Sequence, residues 1–271
     1  LKSQLEMLNS LSLSFDKFKI IKNRCKKKKI NFMSSPFDEI SLKFLKKLNV
    51  KFIKIPSGEV TNVPLIKEIG KLKKKIIISS GMCNLKEIKI ALKILQSQGT
   101  KKKNITVLHC NTEYPATVEK INLMSIKYIK DKLKVKVGFS DHSIGKEASL
   151  IALALGASVL EKHFTLDKKL KGPDQKSSLD PSELYKYVYS IRKFEKSLGG
   201  YYKKPYGEEL KNINVVRKYI VAKTHIRKGE FFNKKNITTK RAKKGIAASK
   251  WDLIIGKKSN YNFKIDENIK V

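Results

Sequence analysis

V-K-V-G-F-S-D-H-S-I-G-K-E-A-S-L-I-A-L-A-L-G-A-S-V-L-E-K-H-F, residues 135–164, holds one full repeat of the pattern that decides the fold. The run at 135–142 begins apolar and ends polar, and it predicts a strand carrying S-D-H at its tip. A helical stretch covers 146–155, and a second run at 157–164 again ends polar, in E-K-H-F. Strand, helix and strand within one such stretch predict a parallel βαβ unit.

The same rhythm extends towards the amino end. Strand-like runs stand at N-F-M-S-S-P-F (31–37), K-F-I-K-I-P-S (51–57), K-I-I-I-S-S-G (75–81) and I-T-V-L-H-C-N (105–111). Helical patterns fill 38–49, 62–72, 84–98 and 122–133, and a longer one covers 181–198. In a parallel α/β protein the carboxyl ends of the strands open on one face, where ligands bind. Six strand ends bearing Ser, Asn, Asp, Glu and His therefore predict one shared mouth. Neither G-x-G-x-x-G after a first strand nor G-x-x-x-x-G-K-[ST] occurs, which argues against a dinucleotide fold or a P-loop. Residues 1–25 read as helical with no strand before them. Six units are two short of a closed barrel, so an open sheet and a barrel lacking its first two units both fit.

G-G-Y-Y-K-K-P-Y-G-E-E-L-K-N-I at 199–213 reads as a connection. This divides the chain into an α/β domain over 1–200, a linker over 201–213 and a small β-rich module over 214–271. The module shows strand-like pieces at 217–224 and 236–241 and a turn at 226–230. It is expected to have little core of its own and to pack against another surface.

The chain has 271 residues, of which 41% are hydrophobic, enough to build a core and to exclude global disorder. Its net charge of +36 invites a nucleic-acid reading. Only Arg24, Arg192, Arg217, Arg227 and Arg241 among the 60 basic residues are arginine, however, and Lys punctuates every helix rather than one face. A phosphate-gripping surface uses Arg freely, so the charge reads as a solvated surface that steers anions. A basic nucleic-acid-binding protein is the competing class, and it requires Lys and aromatic side chains on one continuous face. No run of apolar residues is long enough to span a membrane. Cys25, Cys83 and Cys110 form no C-x-x-C pair, which fits a reducing cytoplasm rather than a disulfide scaffold. The start, L-K-S-Q-L-E-M-L, lacks an initiator Met and an apolar signal region, as expected of a cytoplasmic fragment.

His142 and His163 end two successive strands, and adjacent strands lie about 4.8 Å apart. Both imidazoles can therefore reach one divalent ion such as Mn²⁺ or Zn²⁺, with Asp141 and Asp174 nearby. Each His alone fits a local hydrogen bond equally well. Lys54 sits in an otherwise apolar strand, which is costly unless an anion neutralises it. With Ser35, Ser57, Ser79, Ser140, Asn111 and Thr112 at neighbouring tips, it can form a phosphate or carboxylate cradle. Snorkelling by Lys54 and ordinary turn-forming Ser is the plain alternative. Glu59 and Glu161 are placed for proton handling or sugar hydroxyls, or for ion pairs with local Lys. G-P-D at 172–174 presents Asp174 on a rigid turn, and Tyr114 can wall a substrate or simply pack.

In order along the chain, S-S-P-F-D (34–38), K-I-P-S-G-E (54–59), S-S-G-M (79–82), H-C-N-T-E-Y-P (109–115), G-F-S-D-H-S (138–143), L-E-K-H-F-T-L-D (160–167) and G-P-D (172–174) resemble the N-acetylneuraminate (sialic acid) synthase family. K-G-E at 228–230 and T-K-R at 239–241 resemble its antifreeze-like, or SAF, module. The resemblance implies a TIM barrel joined to that module, with the first two βα units of the barrel unrepresented. It implies condensation of phosphoenolpyruvate with an N-acylated amino sugar such as N-acetylmannosamine, giving a nine-carbon 2-keto sugar acid and phosphate. The related N,N'-diacetyllegionaminate and pseudaminate synthases are alternatives. G-P-D-Q-K-S-S-L-D-P is closer to the neuraminate and legionaminate members than to the pseudaminate ones.

By that likeness His142 and His163 hold a divalent metal, commonly Mn²⁺, with Mg²⁺ and Co²⁺ as alternatives. Lys54, Ser57, Ser79, Ser140 and Ser35 hold phosphoenolpyruvate, with Asn111 and Thr112 beside them. Glu161, Tyr114 and Asp174 bind the amino sugar, and Glu59 sits near the attacking water. Arg241 reaches into the partner's barrel in a domain-swapped homodimer. Ser35 stands where many members have Thr, Thr112 where some have Asn, and Gln175 where relatives often have His. The family's first two units carry a Glu and a Lys of the active site, so residues 1–271 are expected to be inactive by themselves. A related synthase acting on a sugar phosphate needs further basic residues, which the Tyr114 and Asp174 positions do not supply.

Overall fold

Alternating apolar runs and amphipathic stretches become alternating strands and helices in a computed structural model, which describes residues 4–271. In chain order these are α1 (Gln4–Leu11), α2 (Phe15–Lys27), β1 (Met33–Ser34), α3 (Glu39–Lys47), β2 (Phe52–Ile55), α4 (Val63–Lys71) and β3 (Lys75–Ser79). They continue as α5 (Leu85–Ser97), β4 (Ile105–Cys110), α6 (Met124–Leu133), β5 (Lys136–Asp141), α7 (Glu147–Ala154), β6 (Leu160–Lys162) and α8 (Pro181–Ser197). The remainder holds α9 (Glu208–Val216), β7 (Lys218–Ala222), β8 (Ile237–Arg241) and α10 (Trp251–Ile254). The single helical stretch expected over 1–25 is therefore two helices, parted around Ser12–Ser14.

β1 to β6 form one sheet in sequential order, and every pairing is parallel. Each crossover helix adds the next strand on the same side, so the sheet curls as the wall of a TIM-type barrel, six strands long. The helices start where the sequence signals them. Asp38 accepts from the Ser41 N–H at the head of α3, and Asn84 with Glu87 forms a capping box on α5. Asp180 with Glu183 does the same on α8, with Pro181 in its first turn.

Side chains alternate between the two faces of each strand. Ile53, Ile55, Ile76, Ile78, Ile105, Val107, Val137 and Phe139 join the buried core that the strands share with the helices. Each buried side chain of this size contributes about 1.5–3 kcal/mol. The intervening positions, among them Lys54, Ser79, Cys110, Ser140 and Glu161, fall on the opposite, concave face. Gly138 is required on that face, because a Cβ there would lie 2.4 Å from the Leu108 side chain and from the Val159 carbonyl oxygen.

The chain divides into two compact units between Gly199 and Gly200. The stretch 201–213, expected as a linker, carries most of α9 and belongs to the second unit. In that unit β7 and β8 pair antiparallel, Lys218 opposite Arg241 and Ala222 opposite Ile237. The expectation that the module has little core is corrected. Ile220, Ala222, Ile226, Phe232, Ile237, Ile254, Phe263 and Ile269 close on one another, all buried. The sequence hid this because they come from short, scattered pieces without a helical or strand period. Among the described residues no helix is long and apolar enough to cross a membrane.

Candidate functional site

The carboxyl tips of β2 to β6 bring most of the candidate residues together. His142 and His163 are each the first residue beyond a strand, β5 and β6. Their ring centroids lie 5.3 Å apart and the rings are nearly perpendicular, at 79°. Tyr114 lies over His142, with centroids 4.1 Å apart, and meets His163 edge-on at 5.4 Å. The three rings form one wall of the mouth.

The hydrogen bonds decide which imidazole nitrogens are free. His142 Nδ1 contacts the Asn111 carbonyl oxygen, which can only accept, so Nδ1 carries the proton and Nε2 the lone pair. Ser140 Oγ lies 3.4 Å from that Nε2. Its one proton goes to Glu161 Oε1, 2.7 Å away. The His142 Nε2 lone pair is thus left without a donor. His163 Nδ1 faces Asp174 Oδ2 at 3.5 Å, an arrangement that orients the imidazole through a carboxylate. Burial holds His142 below the usual imidazole range, so it stays neutral at pH 7. The two imidazoles, each with Nδ1 facing a protein oxygen, fit a divalent ion held at Nε2 with bonds of about 2.1 Å. Among the described residues no cluster of three or more His, Cys, Asp or Glu is arranged to hold an ion, which leaves the remaining positions to oxygen ligands of water or substrate.

Beside the imidazoles lies the cationic part. Lys54, 9% exposed on β2, donates to Glu161 Oε1 at 3.0 Å. The buried lysine is therefore neutralised by a residue of the site rather than left unpaired, and Glu161 links it to Ser140. The Cys110 thiol lies against the hydroxyls of Ser57 and Ser140, and burial pushes its pKa up. Cys83 is pushed up to about 11 by burial. Neither thiol is poised as a thiolate nucleophile. Ser57 Oγ accepts the Gly81 N–H at 2.9 Å. Gly81 permits this approach, since a Cβ there would meet Ser57 Oγ at 2.8 Å and the Thr112 methyl at 2.7 Å. Ser79 Oγ is buried without a hydrogen-bond partner. A buried hydroxyl without a partner, on the concave face it shares with Lys54 and Ser140, suits a bound oxyanion.

Several candidates sit otherwise than expected. Both ends of the Asn111 amide serve its own loop, with Nδ2 donating to the Lys120 carbonyl at 3.1 Å and Oδ1 accepting from Glu113 N at 2.8 Å. What Asn111 offers the site is its carbonyl, which orients His142. Asp141 is turned to the outer face, away from the imidazoles, and is paired with Lys162 at 3.0 Å. Strand alternation alone predicts this for the residue before an inward His. Glu59 is half-buried and accepts from Asn62 Nδ2 at 2.6 Å, with no hydrogen bond or ion pair to the other candidates. Ser35 follows the short edge strand β1 and lines a cavity with Leu13, Phe15 and Phe37. Thr112 is exposed at the rim. Arg241 ends β8 in the second unit and is exposed. His109 is structural, stacking on Phe139 and bonding the Ile121 carbonyl at 2.6 Å. A cavity of about 910 Å³ opens at the other, amino-terminal end of the strands, around Lys75, Thr106 and Lys136, and none of the candidates lines it.

The NeuB family matches residues 1–203, and an SAF domain matches residues 217–270. The chain is 49% identical over 269 residues to N,N'-diacetyllegionaminic acid synthase of Campylobacter jejuni subsp. jejuni, covering 99% of this chain and 80% of that protein. It is 33% identical over 270 residues to the human N-acetylneuraminate-9-phosphate synthase, covering 99% of this chain and 74% of that one. Among solved structures, the N-acetylneuraminic acid (sialic acid) synthetase from Leptospira borgpetersenii superposes with a TM-score of 0.73 at 33% identity, over 77% of this chain and 72% of that one. With the barrel wall, the convergent strand tips and the family match all lying on the same residues, the chain belongs to the NeuB family and ends in an SAF domain.

Proposed function

We propose that this chain carries the catalytic mouth of a synthase that condenses phosphoenolpyruvate with an N-acylated amino sugar to a nine-carbon 2-keto sugar acid. The observation that carries the reading is the adjacency of two inward imidazoles, each engaged through Nδ1, and a lysine–hydroxyl cradle. The product proposed is N,N'-diacetyllegionaminic acid, because the Campylobacter jejuni relative with that name is 49% identical over nearly the whole chain. N-acetylneuraminic acid, made from N-acetylmannosamine, is the second reading, favoured by the likeness to the Leptospira synthetase.

Lys54 and the hydroxyls of Ser57, Ser79 and Ser140 bind the phosphate and carboxylate of phosphoenolpyruvate. Thr112, beside Gly81, is assigned to the rim of that pocket, and Asn111 acts through its carbonyl on His142. Tyr114 covers one face of the sugar, and Glu161 with Asp174 accepts its hydroxyl protons. His142 and His163 would hold a divalent ion, Mn²⁺ in this reading, and when bound it supplies Lewis acidity for a carbonyl oxygen. The methylene carbon of phosphoenolpyruvate bonds to the aldehyde carbon of the open-chain sugar, whose oxygen takes a proton and becomes a hydroxyl. Water adds at the former enol carbon and gives up a proton, for which Glu59 is the proposed base. The bond from that carbon to the phosphate oxygen then breaks, and inorganic phosphate leaves. Arg241 of a second copy completes the site in a homodimer.

The test supplies phosphoenolpyruvate labelled with ¹⁸O at the bridging oxygen, Mn²⁺ and either amino sugar to the full-length gene product. The reading expects a keto sugar acid and phosphate that retains the label, with the diacetylated sugar preferred. Phosphate without the label, or release independent of the sugar, contradicts it.

A further inference from the structure

We propose that the buried Asp141–Lys162 pair, on the far side of the sheet from the mouth, fixes the register in which β5 and β6 present His142 and His163. Both are positioning residues that touch no substrate. The inference rests on the reading of the two imidazoles as ion ligands.

The last three rungs of this ladder set Phe139 opposite Leu160, Ser140 opposite Glu161 and Asp141 opposite Lys162. The ladder ends there, and each imidazole hangs from the next residue. On the concave face the second-last rung is closed by the 2.7 Å bond from Ser140 to Glu161. On the outer face the last rung is closed by Lys162 Nζ at 3.0 Å from Asp141 Oδ2, with side chains only 5% and 0% exposed. The pair is saturated by polar partners. Asp141 Oδ1 accepts from the Ser143 N–H and hydroxyl, at 2.9 and 2.6 Å. Its Oδ2 accepts from Ser149 Oγ at 2.6 Å. Ser149 in turn accepts from the Tyr187 hydroxyl at 2.7 Å, and Lys162 also donates to the Ser143 carbonyl. The last rung is thereby bolted to α7 through Ser149 and to α8 through Tyr187.

A charge pair taken fully out of water gains little stability over an apolar pair of the same volume. Its value lies in geometry, since Lys162 opposite any residue but Asp141 would bury an unpaired charge. A slip of β6 by one residue against β5 would turn His163 to the helix side and end its convergence with His142. The signal in the sequence is the charged residue immediately before each histidine, Asp141 in S-D-H and Lys162 in E-K-H.

The test replaces the pair with neutral side chains of similar size, Asp141→Asn with Lys162→Met. Mn²⁺ affinity is read from the electron paramagnetic resonance signal of the free ion, without substrates. Melting is followed by circular dichroism, and the imidazole nitrogens of the metal-free protein by long-range ¹H–¹⁵N NMR. The double variant is expected to melt within a few degrees of the parent but to bind Mn²⁺ about tenfold or more weakly, with the His142 Nδ1–H signal shifted and exchanging faster. A folded double variant with parent affinity and parent imidazole spectra overturns the proposal. If the double variant does not fold, Lys162→Arg keeps the charge and moves its donors. Weaker binding by that folded protein supports the proposal, and parent-like binding overturns it. A parent that binds no Mn²⁺ defeats the ion reading instead, and the imidazole spectra then decide the role of the pair.

Discussion

Ser79 lies on the concave face of β3 with a buried hydroxyl that no group among the described residues satisfies. A hydroxyl that bonds only to ligand is expected to matter for binding and not for folding. Ser79→Ala should leave the melting temperature within a degree or two of the parent. It should raise the KM for phosphoenolpyruvate about tenfold, as for the loss of a hydrogen bond to a charged group. Thermal melts and steady-state kinetics together check this, and a destabilised variant with unchanged KM would give Ser79 a structural role. The inward turn of Ser79 was legible in its strand position. The division of labour at Asn111 was not, because composition cannot show that a loop consumes both ends of an amide and leaves the carbonyl to orient His142. Glu161 shows the same limit. The ion pair with Lys54 joins residues 107 positions apart, so it depended on the sheet order rather than on any local pattern.

At the level of elements, the strand and helix pattern read well because two periodicities were clean. Runs such as I-I-I at 76–78 left little choice but a buried strand, and A-L-K-I-L at 91–95 placed its apolar residues on one helical face. The second unit was less legible, since its core residues are separated by turns. Asp38 illustrates how a motif can mislead about role. It closes S-S-P-F-D, yet its carboxylate caps α3 through the N–H and hydroxyl of Ser41. Those bonds hold its pKa below the usual carboxylate value. A depressed pKa means that the cap stabilises above the unfolded value and is lost as pH falls through the folded one. Asp38→Ala should therefore lower stability by about 1 kcal/mol at neutral pH. The difference from the parent should shrink in acid below about pH 4, and KM should not change. Denaturant melts at two pH values measure it, and a changed KM would place Asp38 in the site.

For the whole molecule, the charge of +36 sets the conditions under which an anion meets the mouth. Steering by a spread of lysines is long-ranged and screened by salt. Raising ionic strength from about 10 mM to about 150 mM should lower kcat/KM for phosphoenolpyruvate several-fold. The same change should leave the neutral amino sugar almost unaffected. Equal salt sensitivity for both substrates would show that the charge acts on the fold rather than on encounter. The proposed chemistry requires an ion and an oxyanion side by side where β2 to β6 end. The most direct measurement is the ³¹P relaxation rate of phosphoenolpyruvate in the presence of the protein and Mn²⁺. It should rise steeply with the parent and fall to the protein-free value with His142→Ala or His163→Ala. An undiminished rate in both variants, or no enhancement with the parent, would contradict a shared site at the two imidazoles.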